Sequence, residues 1–592
     1  METFRVLAPQ RGARRRPEVR PLWILVAATL GSVFEWYDFF IYGALAPFFS
    51  RIFFPQQNPV AGILASLAVL GAGFLLRPLG ALLFGHLGDK FGRKSAFLST
   101  IALMGISTAI IGVLPTYPQV GMAAPTALVF LRLLQGLAIG GEYGGAVIYV
   151  GEHVSKERRG LFTGAIHISS SLGFLLSLAA ILIVRSLADS EEFPRWGWRV
   201  PFLFSLILLG ITVYIRLRLR ESPVFEQLRR TGQVSTKPVR EALFKWANLE
   251  VILISIFGAS VGRSAVWYAG QLYVYYFLTA TLKVDESSAA VAIGAATLLA
   301  LPLFVLFGWL SDRVGRKPII LSGCLLAIIT YFPIFHAITE AANPVLARAV
   351  EKTPVTLYTT EFSSTGDLVW STVKDFFGRY RPKPENRPSA EARAYLSRRG
   401  VPFSIVAPQT NAPLTLQIGN TQISGFDEHR YETVLAAANF PEQAKPADVD
   451  YLRLTALLFL LMLCVAAVYA PFGALMLDLF PARLRYTSLS VTYHFGTWLV
   501  GGYLALVSTS LVVFSGDLYR GLLYPAFWAG VTFVGGLLFQ RKRAGVRNRN
   551  SGARSQNSGV GNRRSRLMTS NECEPRMGRA PFEASRTAIR RS

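Results

Sequence analysis

The sequence predicts an all-α membrane protein of twelve spans in two six-helix halves, with a small α+β insertion on the outer side between the ninth and tenth spans. Three observations predict it: apolar blocks of about 20 residues or more, Lys and Arg gathered in alternate loops, and one motif that occurs twice.

The apolar blocks come first. Hydrophobic residues make up 52% of the 592 residues and charged residues only 16%, where a soluble protein carries nearer a quarter. Spans are placed at 22–48, 60–88, 96–114, 123–150, 160–185, 199–217, 250–280, 287–311, 317–338, 452–478, 485–513 and 517–540. The stretch from Arg11 to Arg20 ahead of an apolar run imitates a signal peptide. That run carries Glu35 and Asp38 and has no small-residue cleavage pattern, so it reads as a retained first span.

Charge sets the orientation. The formal charge of +25 reads as topology selection, not nucleic-acid binding, because the basic residues alternate between loops. Lys90, Arg93 and Lys94, then Lys156, Arg158 and Arg159, then the run from Arg216 to Arg240, then Arg313, Arg316 and Lys317, then Arg483 and Arg485 follow even-numbered spans. These loops and both tails are expected in the cytoplasm. The loops at 115–122, 186–198 and 281–286, with Asp189, Glu191 and Glu192 among them, are expected outside.

Parity then puts the long polar segment 339–450 outside. Within it, 354–360 and 412–418 alternate enough to suggest short strands, so a small folded lobe is expected. The expected domains are a basic N-tail (1–21), a six-helix half (22–217), a central loop (218–249), helices seven to nine (250–338), the insertion (339–450), helices ten to twelve (451–540) and a tail (541–592). That tail holds 14 Lys or Arg against 3 Glu and is expected to be disordered. Of three cysteines, Cys324 and Cys464 lie in apolar runs and Cys573 in the tail, which gives neither a disulfide framework nor a metal site.

The repeated motif is residues 85–94 (GHLGDKFGRK) and 308–317 (GWLSDRVGRK), each after an even-numbered span, with six predicted spans between Asp89 and Asp312. Gly85, Gly92, Gly308 and Gly315 suit close helix approach and a tight turn. Asp89 with Arg93, and Asp312 with Arg316, suit a charge network. The sequence here resembles the major facilitator superfamily, whose loops after helices two and eight carry this pattern. Residues 34–39 (FEWYDF), 132–145 (RLLQGLAIGGEYGG), 198–202 (WRVPF), 220–225 (RESPVF) and 480–487 (FPARLRYT) narrow the resemblance to the metabolite:proton symporter family. It implies the major facilitator fold and a carrier of small carboxylates or zwitterions such as proline and betaine, moved with protons through a bacterial inner membrane. It also implies a gating role for Asp89, Arg93, Glu152, Arg159 and Glu221 as ion pairs that close the cytoplasmic side. The insertion and the Arg-rich tail depart from the family pattern.

Charge inside a span is costly and marks function. Glu35 and Asp38 share one face of the first span, Glu35 being placed nearer the outer surface. Arg132 and Glu142 lie ten residues apart on the fourth span, near opposite sides of the bilayer. A proton carrier needs a carboxylate whose proton affinity differs between access states, and an Arg that pairs with it and releases it supplies the difference. Asp38 with Arg132 is the preferred pair, as the resemblance also implies; a static salt bridge is the alternative. Glu35 and Glu142 join the coupling group, Glu142 with packing among its neighbouring glycines as its other reading.

Arg263, on the seventh span, offers the bidentate donors a substrate carboxylate needs. Tyr268, Gln271 and Tyr275, with Trp267, follow at helical spacing, and Gln135 joins them as a substrate-binding candidate; packing is the alternative for each aromatic. Tyr493 and His494 lie in a Gly-flanked segment, where a packing histidine competes with a titrating one. No nucleophile–base spacing, Walker loop or zinc signature appears, so neither an enzyme nor a nucleotide-driven pump is expected. No cofactor or metal is expected. The expected partners are a small-molecule substrate, protons and the lipid bilayer, with no nucleic acid and a monomeric chain. The competing function is a transporter-like receptor or sensor that uses the outer lobe.

Overall fold

Apolar sequence in blocks of this length folds to helix because, without water, only a helix satisfies every backbone group within one segment. The computed structural model describes residues 21–54, 59–189, 191–218, 221–359, 387–406 and 414–538. The N-tail to residue 20 and the Arg-rich tail from 541 lie outside them.

A 32-residue helix, α1 (Pro21–Ile52), opens the described chain. Among the described residues eleven helices, all after α1, are long and apolar enough to cross a membrane: α2 (Ala68–Phe91), α3 (Arg93–Val113), α4 (Ala123–His153), α5 (Lys156–Leu187), α6 (Phe193–Arg218), α7 (Trp246–Thr281), α8 (Glu286–Val314), α9 (Arg316–Ala342), and, after a polar lobe, α13 (Tyr451–Leu479), α14 (Ala482–Ser515) and α15 (Arg520–Leu538). The chain through Gly536 forms one packed unit. α1 packs on α5, α3 on α6, and α13 on α8 and α9. Contacts between the first six helices and the later ones run chiefly through α2 against α14 and α5 against α8. Glycine makes the second contact possible: a Cβ on Gly160 would lie 2.4 Å from the Gly308 carbonyl oxygen, and one on Gly308 would lie 2.5 Å from that of Gly160.

Three helices carry π turns: α6 opens on one at Phe193–Gly197, and the other two hold them within the span. α7 contains π turns at Ile256–Ser260, Ala269–Tyr273 and Phe277–Thr281, and α14 contains one at Thr497–Gly501. Each adds a residue to the turn and rotates every later side chain about the axis relative to a regular helix.

The lobe lies where the charge pattern of 339–450 places it in the chain. It comprises α10 (Pro344–Lys352), β1 (Val355–Tyr358), α11 (Arg387–Arg399), β2 (Ser404–Val406), β3 (Thr415–Ile418), β4 (Thr421–Ser424) and α12 (Glu428–Ala437). The sheet order is β2-β1-β3-β4, with β1 and β2 parallel and the other pairs antiparallel. β1 and β3 fall in the two stretches whose alternation predicts strands. β2 and β4 lie outside those two stretches. Leu357, Leu416, Ile418, Leu396 and Tyr431 form the lobe's buried centre. Three backbone bonds tie it to the bundle: Phe403 N–H to the Gly516 carbonyl, Ala444 N–H to that of Lys283, and Asp450 N–H to that of Ala341. α9 starts beside Asp312 and ends at the lobe, so the lobe and the repeated motif occupy opposite ends of the bundle.

Candidate functional site

The first charged cluster is built where α1, α4 and α6 meet. Arg216 places its guanidinium 2.5 Å from Glu142 and 3.2 Å from Glu35. Thr100 on α3 donates to Glu142 at 3.2 Å, whereas neither carboxyl oxygen of Glu35 has a hydrogen-bond partner among the described residues. All three charged side chains are buried. One cation thus serves two carboxylates. A water-sized cavity of about 20 Å³ adjoins them, lined also by Tyr143, His167 and Tyr469.

One turn further along α1, Asp38 has no arginine within ion-pair distance. Its Oδ1 lacks a hydrogen bond, and its carboxyl touches Thr108. Thr108 accepts from Gln135 at 2.7 Å, and Arg132 donates to the other side of the Gln135 amide at 2.7 Å. Asp38 and Arg132 are therefore linked through two neutral groups and are not paired. Arg132 is fully buried against Phe39 and Tyr42, its carbon 4.8 and 4.5 Å from their ring centres, and its Nε and Nη2 have no partner.

Two more guanidiniums lie in the same condition. Arg77 on α2 is fully buried between Phe74 and Phe39, donates only a long 3.5 Å bond to the Tyr268 hydroxyl, and leaves Nε and Nη2 unpartnered. Arg263 on α7 donates to Ser264 at 2.7 Å and Thr497 at 2.8 Å, faces the rings of Tyr493, Phe472 and Tyr469, and leaves Nε unpartnered. An aromatic face stabilises a desolvated cation by about 2 kcal/mol or somewhat more. An uncompensated buried charge costs several. His494 lies within electrostatic reach of both Arg77 and Arg263, and neither of its ring nitrogens has a partner. Arg132 lies within reach of Arg77. The middle of the bundle thus gathers donors that no carboxylate among the described residues answers.

That middle is closed on both sides. Toward the lobe, Trp267 packs on Trp36 and Phe40, and Tyr276 donates to the Gly43 carbonyl at 2.7 Å. Arg185 on α5 pairs with Glu286 at the start of α8 at 2.6 Å.

At the motif end the closure is built twice. Asp89, at the end of α2, accepts the backbone N–H groups of Tyr486 and Thr487, the first turn of the regular part of α14. Asp312, at the end of α8, accepts those of Gly160 and Leu161, the first turn of the regular part of α5. Each aspartate caps a helix N-terminus of the other set of helices. Beside Asp89, Glu152 pairs with Arg485 at 2.9 Å and with Arg93 at 3.9 Å. Beside Asp312, Asp478 pairs with Arg159 and Arg316, both at 3.3 Å. Gly92 and Gly315, with φ of +114° and +108°, end α2 and α8 in the same way.

Residues 28–350, more than half of the chain, match the Major Facilitator Superfamily. The chain belongs to that superfamily. A shikimate transporter of Escherichia coli (strain K12) is 35% identical over 314 residues, covering 52% of this chain and 70% of that one. A proline/betaine transporter of Salmonella typhimurium (strain LT2) is 34% identical over 328 residues, covering 53% of this chain and 64% of its own length. These relatives are transporters and not enzymes. Among solved structures, the proton:xylose symporter XylE bound to 6-bromo-6-deoxy-D-glucose superposes with a TM-score of 0.55 over 88% of this chain and 95% of that one, at 14% identity. That likeness confirms the major facilitator fold.

Within this fold the sequence-based site needs five corrections. The Asp38–Arg132 ion pair is absent, because Gln135 and Thr108 stand between the two. Glu35 turns toward the motif end and not the lobe end, since its partner Arg216 is two residues from the end of α6 there. Arg216, assigned by its position to a basic loop, is buried because α6 runs on to Arg218. Tyr275 does not join Arg263: the π turn at Ala269–Tyr273 rotates it, and its hydroxyl donates to the Ala44 carbonyl at 3.4 Å. Gln271 reaches Ser171 on α5 at 2.9 Å, and Tyr268 reaches Arg77. Glu221 caps the first amides of α3, accepting from Arg93 N and Lys94 N, in place of a side-chain ion pair.

Sequence reasoning missed three residues. Arg77 lies mid-way through the predicted 60–88 span beside Pro78 and was readable as an intramembrane charge. Arg216 was not, because its burial depends on where α6 ends. Asp478 had a signal: Glu152 and Arg159 have the same seven-residue separation as Asp478 and Arg485.

Proposed function

We propose that this chain is a proton-coupled symporter of a small organic anion that works by alternating access. One observation carries the reading: three fully buried guanidiniums, Arg77, Arg132 and Arg263, have no carboxylate partner among the described residues, while two buried carboxylates share Arg216. An anion between Arg77 and Arg132 on one side and Arg263 on the other offsets the cost of burying them and draws the two sets of helices together. His494, Tyr268, Gln135 and Gln271 supply further hydrogen-bonding groups; shikimate and proline/betaine carriers among the relatives fit a carboxylate at this place.

Proton coupling is assigned to Glu35 and Glu142. Two carboxylates share one guanidinium, so uptake of a single proton by the cluster neutralises it. Arg216 then holds the remaining carboxylate in its ionised form. Asp38, linked to Arg132 through Thr108 and Gln135, is the second coupling group: an anion that draws Arg132 away changes the hydrogen bonding around the Asp38 carboxyl.

The same reading counts α1 as the first of twelve spans, divides them into halves at 218–249, and sets both tails and the Asp89 motif in the cytoplasm and the lobe outside. The protein acts as a monomer in the bacterial inner membrane. The Asp89 and Asp312 caps, with Gly85, Gly92, Gly308, Gly315, Glu152 and Arg159 around them, are the cytoplasmic gate. Uptake by proteoliposomes of labelled shikimate, 2-oxoglutarate, proline and betaine, with and without an inward proton gradient, tests the function. Gradient-driven accumulation of an acid is the expected result; uptake of none of the four, or uptake indifferent to the gradient, rejects the reading.

A further inference from the structure

Between the lobe and the bundle lies a cavity of about 790 Å³, within the range of about 300 to 1,000 Å³ usual for small-molecule sites. None of its walls comes from the first six helices. The end of α9 contributes His336, Thr339 and Glu340; α10 contributes Arg348 and Glu351; the lobe contributes Val355, Phe403 and Phe440; the loop from α14 to α15 contributes Gly516 to Tyr519.

The charges within it nearly all cancel in pairs. Arg453 meets Glu340 at 2.6 Å, and Asp517 meets Arg520 at 3.7 Å and holds the Tyr519 N–H. Arg348 and Glu351 are left, one cation and one anion three residues apart on one face of α10, both solvent-accessible and neither with an ion-pair partner among the described residues. Opposite them the wall is aromatic and fixed. His336 stacks on Tyr519 at 3.6 Å, and the Tyr519 hydroxyl donates to Thr339 at 3.0 Å. Phe403 and Phe440 are buried and form the apolar floor.

We propose that this cavity is a second binding site, separate from the central one, for a small amphipathic zwitterion. Its carboxylate meets Arg348, its ammonium meets Glu351, and its apolar body lies on Phe403, Phe440 and the Tyr519 ring. Because every wall belongs to the lobe or to α9, α13 and the α14–α15 loop, rocking of the two halves leaves the cavity intact. The site therefore holds its ligand in both access states and is a capture or regulatory site, not a step of translocation.

Calorimetry on the purified full-length protein tests this with the dipeptide phenylalanyl-alanine, its N-acetyl derivative and its C-terminal amide. The dipeptide is expected to bind saturably and each derivative about tenfold or more weakly, since each loses one charge-assisted contact. Arg348→Gln is expected to erase the preference over the amide, and Glu351→Gln the preference over the acetyl derivative. Both residues are exposed, so neither change endangers folding. Arg263→Gln is expected to leave this binding unchanged. No saturable binding up to millimolar dipeptide, binding indifferent to both α10 substitutions, or binding lost in Arg263→Gln overturns the proposal.

Discussion

The Asp89 carboxylate receives the backbone N–H of Thr487 at 2.9 Å, and Asp312, its counterpart in the second repeat, receives that of Gly160 at 2.8 Å. The two contacts are mirror uses of one device. In each, a carboxylate at the end of one helix neutralises the positive end of a helix across the interface. In the proposed gate, opening this end breaks both contacts together, with the Glu152 and Asp478 ion pairs.

Replacing Asp89 by Asn removes the charge from that cap and is expected to shift the protein toward the state open at the motif end. Charge-assisted hydrogen bonds contribute about 1.5 to 3 kcal/mol each, so the shift is about tenfold or more. Labelling of a single cysteine placed on the inner face of α5 would read it. Unchanged labelling rates would refute the latch role.

Arg216→Gln leaves Glu35 and Glu142 buried without their shared cation. A loss of about 3 to 5 kcal/mol in stability is expected, seen as a lower unfolding temperature in detergent. The double variant Arg216→Gln with Glu142→Gln should recover much of it. If the double variant is no more stable than the single, the clamp is not an electrostatic unit.

Asp38→Asn is expected to keep counterflow exchange of substrate and to lose gradient-driven accumulation. The measurement is paired exchange and uptake in the same vesicles. Equal loss of both, with poor folding, would make the Asp38–Thr108–Gln135–Arg132 chain a structural element only.

Arg263→Lys keeps the charge and loses the planar fork, so substrate affinity should fall about tenfold, and further for Arg263→Ala. Arg77→Lys should behave likewise. Affinity untouched in both Lys variants would remove these arginines from the anion site.

Lys283, in the loop from α7 to α8, is pushed down to about 8 by burial, with the Arg399 guanidinium adding to the effect. Its folded value lies below the ordinary 10.5, so the unfolded chain binds more protons between those limits and the burial penalty fades as pH rises from about 8 to 10.5. Below pH 8 the penalty is fully present. Lobe docking, followed by proteolysis at the lobe boundary, should resist better at pH 9.5 than at 7.5, and Lys283→Met should flatten that difference. A pH profile identical in both proteins would show that Lys283 does not govern docking.

Much of this site was legible as type and little as partnership. Asp89 and Asp312 announced themselves by repetition, yet what they cap lies 398 residues away for the pair Asp89–Thr487. Asp38 and Arg132 were both recognised from their cost in a membrane. Their separation was not, because Gln135 and Thr108 come from different helices and only the crossing of α3, α4 and α1 brings them between the two. Tyr275 failed for a local reason: helical spacing from Arg263 holds only until the first inserted residue, and apolar sequence around Gly270 carries no sign of a π turn.

By itself the sequence determined lengths, order and sidedness signals: apolar runs of span length, basic loops in alternation, a lobe between two spans, and a duplicated Asp–Gly–Arg motif. These are properties read along the chain, where each residue's free energy of transfer acts alone. The tertiary structure decided which charges meet. A buried guanidinium finds two carboxylates, as Arg216 does, or none, as Arg77, Arg132 and Arg263 do, according to helix crossings and rotations that no spacing in the sequence encodes.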